Sequence, residues 1–354
     1  MAKAIRSGSM KTLALVGEAL GIRNLDPESG KIFVTGGTGV IGHRVAVRLL
    51  NAGYPHVRLG VSKIDSLEDV NKMGAEIADF SWDHEETYEK ALHGVKSVLV
   101  TLPYEHHWYK HFAAFLDACK KAHVKHLVKL SFYHARVPRD VFHQVPFVKH
   151  NADCDQRLIS MVKPGEDAFP NMSYTILYAS HFMSHPFTSQ GKELRDSETA
   201  STLYGASMNC GVNYVSPNDV AEAIVRVLLG PRGHYDKEYT LTGPGPITDL
   251  EIADLLSKYL KKPVMYVDQP IEEFAGDMKR GGCPHWMVVD LVEMEKIKAT
   301  GTEEDHAFES KDFEEICGHP PESFEDYLRM TDTMTPVEAG APSELKPLKE
   351  TISE

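Results

Sequence analysis

Several things are scarce in this chain. It has 5 cysteines in 354 residues, at 119, 154, 210, 283 and 317, with no Cys-x-x-Cys pair. That spacing suggests neither a disulfide framework nor a zinc knuckle, and it suits a reducing compartment, so a cytoplasmic location is expected. No apolar run approaches the roughly 18 residues needed to cross a bilayer. There is no basic block, and the net charge is −13. Nucleic acid and anionic membrane are therefore poor partners, and a small molecule is the better one. Finally, none of the 14 tyrosines has a lysine four residues on.

The glycines, by contrast, are concentrated where they carry meaning. Residues 31–42 read Lys-Ile-Phe-Val-Thr-Gly-Gly-Thr-Gly-Val-Ile-Gly. Ile32–Val34 is a short apolar strand, and Val40 opens a helical pattern. Between them, Gly37, Gly39 and Gly42 fit G-x-G-x-x-G, and Gly36, Gly39 and Gly42 fit G-x-x-G-x-x-G. Glycine is needed there for a tight turn, for close approach of backbone to a pyrophosphate, and for helix-on-strand packing. The helix start adds free N–H groups and a positive dipole end. Residues Gly36 to Gly42, with Thr38, Val40 and Ile41 between them, are thus the expected dinucleotide loop.

From Lys31 onward strands and helices alternate through six strands, the last at Tyr174–Tyr178. This is the pattern of right-handed crossovers and a doubly wound parallel sheet in an α/β protein. The organisation expected is an extension (1–30), a nucleotide-binding domain (31–180), a smaller C-terminal α/β lobe with sheet-completing segments (181–330), and a Pro-, Glu- and Ser-rich disordered tail (331–354). The extension carries Lys3, Arg6 and Lys11 before its first acid, Glu18. It reads either as a loose arm on the domain or as an organelle-import signal. Ser216-Pro217-Asn218-Asp219 and Thr248-Asp249-Leu250-Glu251 are helix starts, the second a capping box.

An NAD site places an acid about twenty residues past the glycines, on the ribose hydroxyls. Here the second strand ends in Val61-Ser62-Lys63, a hydroxyl and a cation suited to a 2′-phosphate. NADP is expected, with NAD possible. By the rule that ligands lie at strand C-terminal ends, Thr101, Leu102 and Pro103 are expected along the cofactor, and Tyr104 and His134 in the substrate pocket. Ser131 would position a carbonyl oxygen, and Tyr133 or His134 would pass a proton. Tyr178, His181 and His185 are further pocket candidates. The last two have the i, i+4 spacing of a metal pair on a helix, but a third ligand is missing nearby, so no metal is expected.

These stretches together resemble the NmrA-like branch of the atypical short-chain dehydrogenases/reductases, over residues 31–330. The resemblance is carried by Val34–Gly42, by Ile77-Ala78-Asp79, by Asn171–Tyr178 with His181-Phe182-Met183, by Val215–Ala223 and by Tyr239–Pro244. It implies a Rossmann sheet, Asp79 near the adenine, and Lys149 at the nicotinamide ribose or as general acid/base. A lysine in that place would have its pKa lowered by desolvation. Where many relatives have Asn, this chain has His185. The branch includes quinone, azo-dye and phenylpropanoid-ether reductases as well as nucleotide-sensing regulators. The implied activity is an NADPH-dependent oxidoreductase acting on a quinone or enone, as a monomer or homodimer. A non-catalytic sensor with a protein partner, or a scaffold, is the alternative.

Overall fold

The computed structural model describes residues 30–62, 67–103, 108–136, 145–162, 171–185, 200–300 and 308–330. Lys63, Tyr104 and the two terminal segments lie outside the described residues. In chain order the first elements are β1 (Lys31–Val34), α1 (Val40–Asn51), β2 (Val57–Val61), α2 (Glu68–Lys72), β3 (Glu76–Asp79), α3 (Tyr88–Leu92), β4 (Val95–Val100) and α4 (Phe112–Lys121). Then come β5 (His126–Phe132), α5 (Tyr133–Arg136), α6 (Pro146–Val162), β6 (Ser173–Ala179) and β7 (His181–Phe182). The C-terminal part adds β8 (Ser201–Gly205), β9 (Val212–Val215), α7 (Pro217–Leu229), β10 (Lys237–Leu241), β11 (Pro246–Ile247), α8 (Asp249–Leu260) and β12 (Val264–Asp268). It ends with α9 (Ile271–Arg280), α10 (His285–Lys298), α11 (Asp312–Cys317) and α12 (Phe324–Met330).

The main sheet has the order β10-β6-β5-β4-β1-β2-β3, and every pairing in it is parallel. The order reverses between β1 and β4, which opens a crevice at their C-terminal ends. The sheet is completed from beyond residue 180. Strand β10 pairs with β6, and α7 shares with α1 the core that contains Val45, Leu49, Ile224 and Leu228. Helix α7 starts where the sequence places it, because Ser216 caps it by accepting from the Asn218 N–H. On the other face, Phe80, Trp82, Tyr88 and Phe115 pack edge to face beneath α3 and α4.

The remaining strands form two small sheets, β11-β9-β7 and β12-β8. With α8 and α12 they enclose a separate core of Met183, Leu203, Tyr214, Ile252, Leu256 and Phe324. Helix α8 begins at a complete capping box: Glu251 N–H donates to Thr248, and Thr248 N–H to the Glu251 carboxylate.

Candidate functional site

The glycine turn divides its work among its residues. Gly36 is left-handed (φ 64°), and a Cβ there would lie 2.5 Å from Thr101 Oγ1. Gly42 brings α1 onto β1 so closely that a Cβ would stand 2.4 Å from the Gly36 carbonyl oxygen. Gly37 packs on β2, where Leu59 would be 3.0 Å from its Cβ. Gly39 differs: its φ is −79°, and only the Gly36 oxygen, at 3.2 Å, lies near its missing Cβ. It is also the N-cap of α1, and no side chain there accepts the helix's first N–H groups. The Gly37 and Gly39 N–H groups are spent on the Gly60 and Gly36 carbonyls, so it is the uncapped N–H groups of the first turn of α1 that a pyrophosphate would meet.

Thr101 has a different task from direct contact. Its Oγ1 donates to the Thr35 carbonyl at 2.7 Å, and its N–H donates to Thr35 Oγ1 at 2.9 Å. The end of β4 is thus clamped to the end of β1 beside Gly36. Leu102 and Pro103 follow, half-buried. Ser62 and Asp79 are exposed at the ends of β2 and β3, neighbouring strands whose register pairs Val61 with Asp79.

Beyond β5 and β6 the rings of two segments meet. Phe132 lies 5.1 Å from His134 and 5.3 Å from His181, centroid to centroid, and the two imidazoles are 5.8 Å apart. His181 also reaches Tyr214 (5.9 Å) and His185 (6.3 Å). Phe147, from the first turn of α6, closes the group 6.3 Å from Phe132. His185 keeps exposed surface at the edge of this group, whereas His134 (1% exposed) and His181 (5%), both expected in a pocket, are buried. Burial, then the charge of Lys298, pushes its imidazole down to about 4, so it is neutral at physiological pH.

Other candidates sit elsewhere. Tyr178 is not in the cleft: its ring joins the opposite core, its hydroxyl donates to Glu238 at 3.2 Å, and Arg136 lies over its face. Ser131 is buried with its hydroxyl donated to Asp155 at 2.6 Å, so it does not face a carbonyl. Lys149 is half-exposed on α6 and paired with Asp153 at 2.8 Å, without the desolvation expected of it. Tyr133 is nearly buried and stacks on Phe308 at 5.6 Å. His181 belongs to β7, paired with β9, so it and His185 do not share a helix face as their spacing suggests.

Sequence reading misses a charged group beside His185 and Tyr214. Lys298, at the end of α10, binds Glu295 at 2.6 Å and faces Tyr214, Asp249 and His185. Burial alone would lower the lysine; the charges of Glu295, Tyr214 and Asp249 outweigh it and hold the ammonium above its ordinary value. Ser207 donates to the same Asp249 carboxylate at 2.7 Å. These residues lie on α8, β9, α10 and the segments after β7 and β8, far apart in the chain, so no local spacing marks them.

A doubly wound sheet with this turn at its switch point is matched, over residues 28–350, by the NmrA-like family. The chain belongs to the NmrA-like family. This NmrA-like chain is 27% identical over 319 residues to the prestalk A differentiation protein A of Dictyostelium discoideum, spanning 88% of this chain and 96% of that protein. It is 30% identical over 244 residues to the (4-alkanoyl-5-oxo-2,5-dihydrofuran-3-yl)methyl phosphate reductase of Streptomyces griseus, 68% of this chain and 78% of that enzyme. Among solved structures, an Escherichia coli NADPH-dependent quinone oxidoreductase complexed with NADPH superposes with a TM-score of 0.70 at 22% identity, covering 84% of this chain and 98% of that one. Among the described residues no helix is long and apolar enough to cross a membrane.

Proposed function

We propose that this NmrA-like protein is an NADPH-dependent reductase of an electrophilic, conjugated acceptor of the quinone or enone type. The observation that carries the reading is the glycine turn at Gly36–Gly42, whose helix start has no capping side chain; the aromatic rings and imidazoles gathered after β5 and β6 support it. The turn and the N-terminus of α1 would hold the pyrophosphate, with Ser62 and Lys63 toward the 2′-phosphate and Asp79 toward the adenine. Bound NADPH supplies the hydride. The protein's part is to orient and to exclude water: the half-buried Phe132 and Phe147 would pack on the acceptor, and the exposed His185 is the imidazole placed to meet a reduced oxygen, with His134 and His181 buried behind it. An acceptor of this class needs little help from a strong acid, which suits a chain without Tyr-x-x-x-Lys. The relative named as a reductase of an oxo-dihydrofuran supports the acceptor class.

A second reading, a nucleotide sensor, is favoured by the engagement of Ser131 with Asp155 and of Lys149 with Asp153, which occupies two groups expected to act. Calorimetric titration with NADPH, NADP⁺, NADH and NAD⁺, then reduced-nicotinamide absorbance with a quinone panel, separates the two. Tight NADPH binding with acceptor-dependent oxidation supports the reductase. Tight binding with no oxidation by any acceptor moves the protein to the sensors, and no binding at all ends both readings.

A further inference from the structure

A buried polar cluster lies between β5 and α6, and the reading above leaves it without a task. On β5, Lys129 and Ser131 are two residues apart and share a face; on α6, Asn151 and Asp155 are four apart and share another. The two faces meet. Lys129 Nζ is 2.6 Å from Asp155 Oδ1 and donates to Asn151 Oδ1 at 3.1 Å. Ser131 Oγ donates to Asp155 Oδ2 at 2.6 Å, and Asn151 Nδ2 donates to the Phe147 carbonyl at 3.0 Å. Lys129 is 0% exposed, Asp155 1%, Asn151 2% and Ser131 5%.

A buried ion pair is a poor way to gain stability, because the desolvation of both charges roughly cancels their attraction. Apolar replacements of similar volume are often neutral or stabilising. What such a cluster does confer is register, since each of its bonds is short, directional and costly to leave unmade. Asp155 grips β5 at two positions, and Asn151 passes that grip to the carbonyl of Phe147 in the first turn of α6. The tied ends are the ends that carry the ring group of Phe132, His134 and Phe147. Ser131 is followed at once by Phe132, Tyr133 and His134, while Phe147 is followed by Lys149 after one residue.

We propose that Lys129, Asp155, Ser131 and Asn151 are positioning residues that lock the end of β5 to the first turn of α6, and so set the spacing between Phe132–His134 and Lys149. The effect on turnover rests on the reductase reading; the effect on local order does not. The bonds predict where order is lost. Removing both charges together leaves no uncompensated ion in the core, so the fold survives while the register loosens.

The test compares the full chain with K129M/D155L, S131A and S131T, by thermal denaturation, amide hydrogen exchange, NADPH affinity and oxidation of NADPH by a soluble naphthoquinone. K129M/D155L is expected to stay folded and melt within about 5 °C of the wild type, the removed ion pair offsetting the two stranded polar groups, while amides of 131–134 and 147–151 exchange at least about 10-fold faster. Its kcat should fall by about 10- to 100-fold with NADPH affinity held within about threefold, since misplacement by an ångström costs that much. S131A should move in the same direction, and S131T, which keeps the hydroxyl, should restore both exchange and kcat. Unchanged exchange in a folded K129M/D155L overturns the proposal, as does faster exchange with an unchanged kcat. Should the double variant not fold, equal exchange in S131A and S131T overturns it instead. A wild-type protein that oxidises no NADPH with any acceptor refutes the reductase reading, and the exchange comparison still decides whether the cluster locks β5 to α6.

Discussion

Two glycines three residues apart should fail in opposite ways when each is changed to alanine. At Gly42 the new Cβ would stand 2.4 Å from the Gly36 oxygen, 3.0 Å from its carbonyl carbon and 3.1 Å from the Thr35 oxygen. All three are backbone atoms of the turn, so α1 must lift from β1 and take Ile41 and Val45 out of the core. Overpacking of this kind costs about 1–3 kcal/mol, equivalent to a loss of roughly 2–10 °C in Tm for a domain of this size. At Gly39 the backbone is already in a region any residue adopts, and the single close atom is 3.2 Å away. Gly39→Ala should therefore leave Tm within about 2 °C, or raise it slightly by restricting the unfolded chain. Its methyl group would instead project where the pyrophosphate must come, forcing it off a backbone donor. A lost hydrogen bond to a charged group is about 1.5–3 kcal/mol, so NADPH affinity should fall by about 10- to 150-fold. Scanning calorimetry and isothermal titration on both variants read the two effects separately. Wild-type affinity in Gly39→Ala would refute the loop as the pyrophosphate site, and wild-type Tm in Gly42→Ala would refute the packing argument.

Lys149→Ala should reduce turnover much more than nucleotide affinity if the lysine turns to the cofactor when it binds; equal turnover removes it from the mechanism. Ser62→Asp with Lys63→Ser should move preference from NADP toward NAD in a titration series, and no movement means that the 2′-phosphate is read elsewhere. Lys298→Met leaves the carboxylates of Glu295 and Asp249 without their cation, which should lower the stability of the fold by about 3 kcal/mol in chemical denaturation. Asp219 gives a pH signature. Burial pushes its carboxyl from 3.8 up to about 7, with Glu322 and Glu222 adding to the rise against the hydrogen bond from the Glu322 N–H. The folded state therefore holds the proton more tightly than the unfolded one, and the stability it lends is whole below pH 3.8 and lost as pH rises through about 7. Asp219→Asn keeps an oxygen for that N–H, so it should match the wild type near pH 4 and exceed it by a few kcal/mol near pH 8. Parallel stability curves at the two pH values would rule this out.

The strands of the main sheet are legible because a parallel strand is covered on both faces and reads as a short apolar run between turn signals. Val57–Val61 and Val95–Val100 are of this kind, and the glycines that follow α1 and α3, Gly53 and Gly94, both take the left-handed conformation that ends them. Strands β7, β8, β9 and β11 are not legible: they are two to five residues long, and β8 finds its partner β12 some sixty residues on. The same difference runs through the site. The glycine turn is visible because its chemistry is backbone conformation, which only glycine spells out in sequence. The histidines mislead because i, i+4 spacing means a shared face only on a helix, and His181 is held in a strand by its pairing with Tyr214. Lys129 has a signal that was available, since a lysine between Val128 and Leu130 in a strand covered on both faces requires a buried partner. The partner's identity, Asp155, follows only from the packing of α6.

These placements change the expected chemistry of the cleft. The Ser131 hydroxyl is committed to Asp155, the Lys149 ammonium to Asp153, and His185 is uncharged at neutral pH. None of the three stands ready to give a proton to a poor electrophile. General-acid help in the transition state contributes about 10²- to 10⁴-fold, and a simple ketone would need it. A quinone needs far less, because hydride addition yields a delocalised anion that takes its proton afterwards from an imidazole or from water. The half-buried rings of Phe132 and Phe147 would stack on a planar acceptor. On the reductase reading proposed above, ring stacking and proton supply would favour the same class of substrate, and a simple aliphatic ketone reduced as fast as a naphthoquinone would break that agreement.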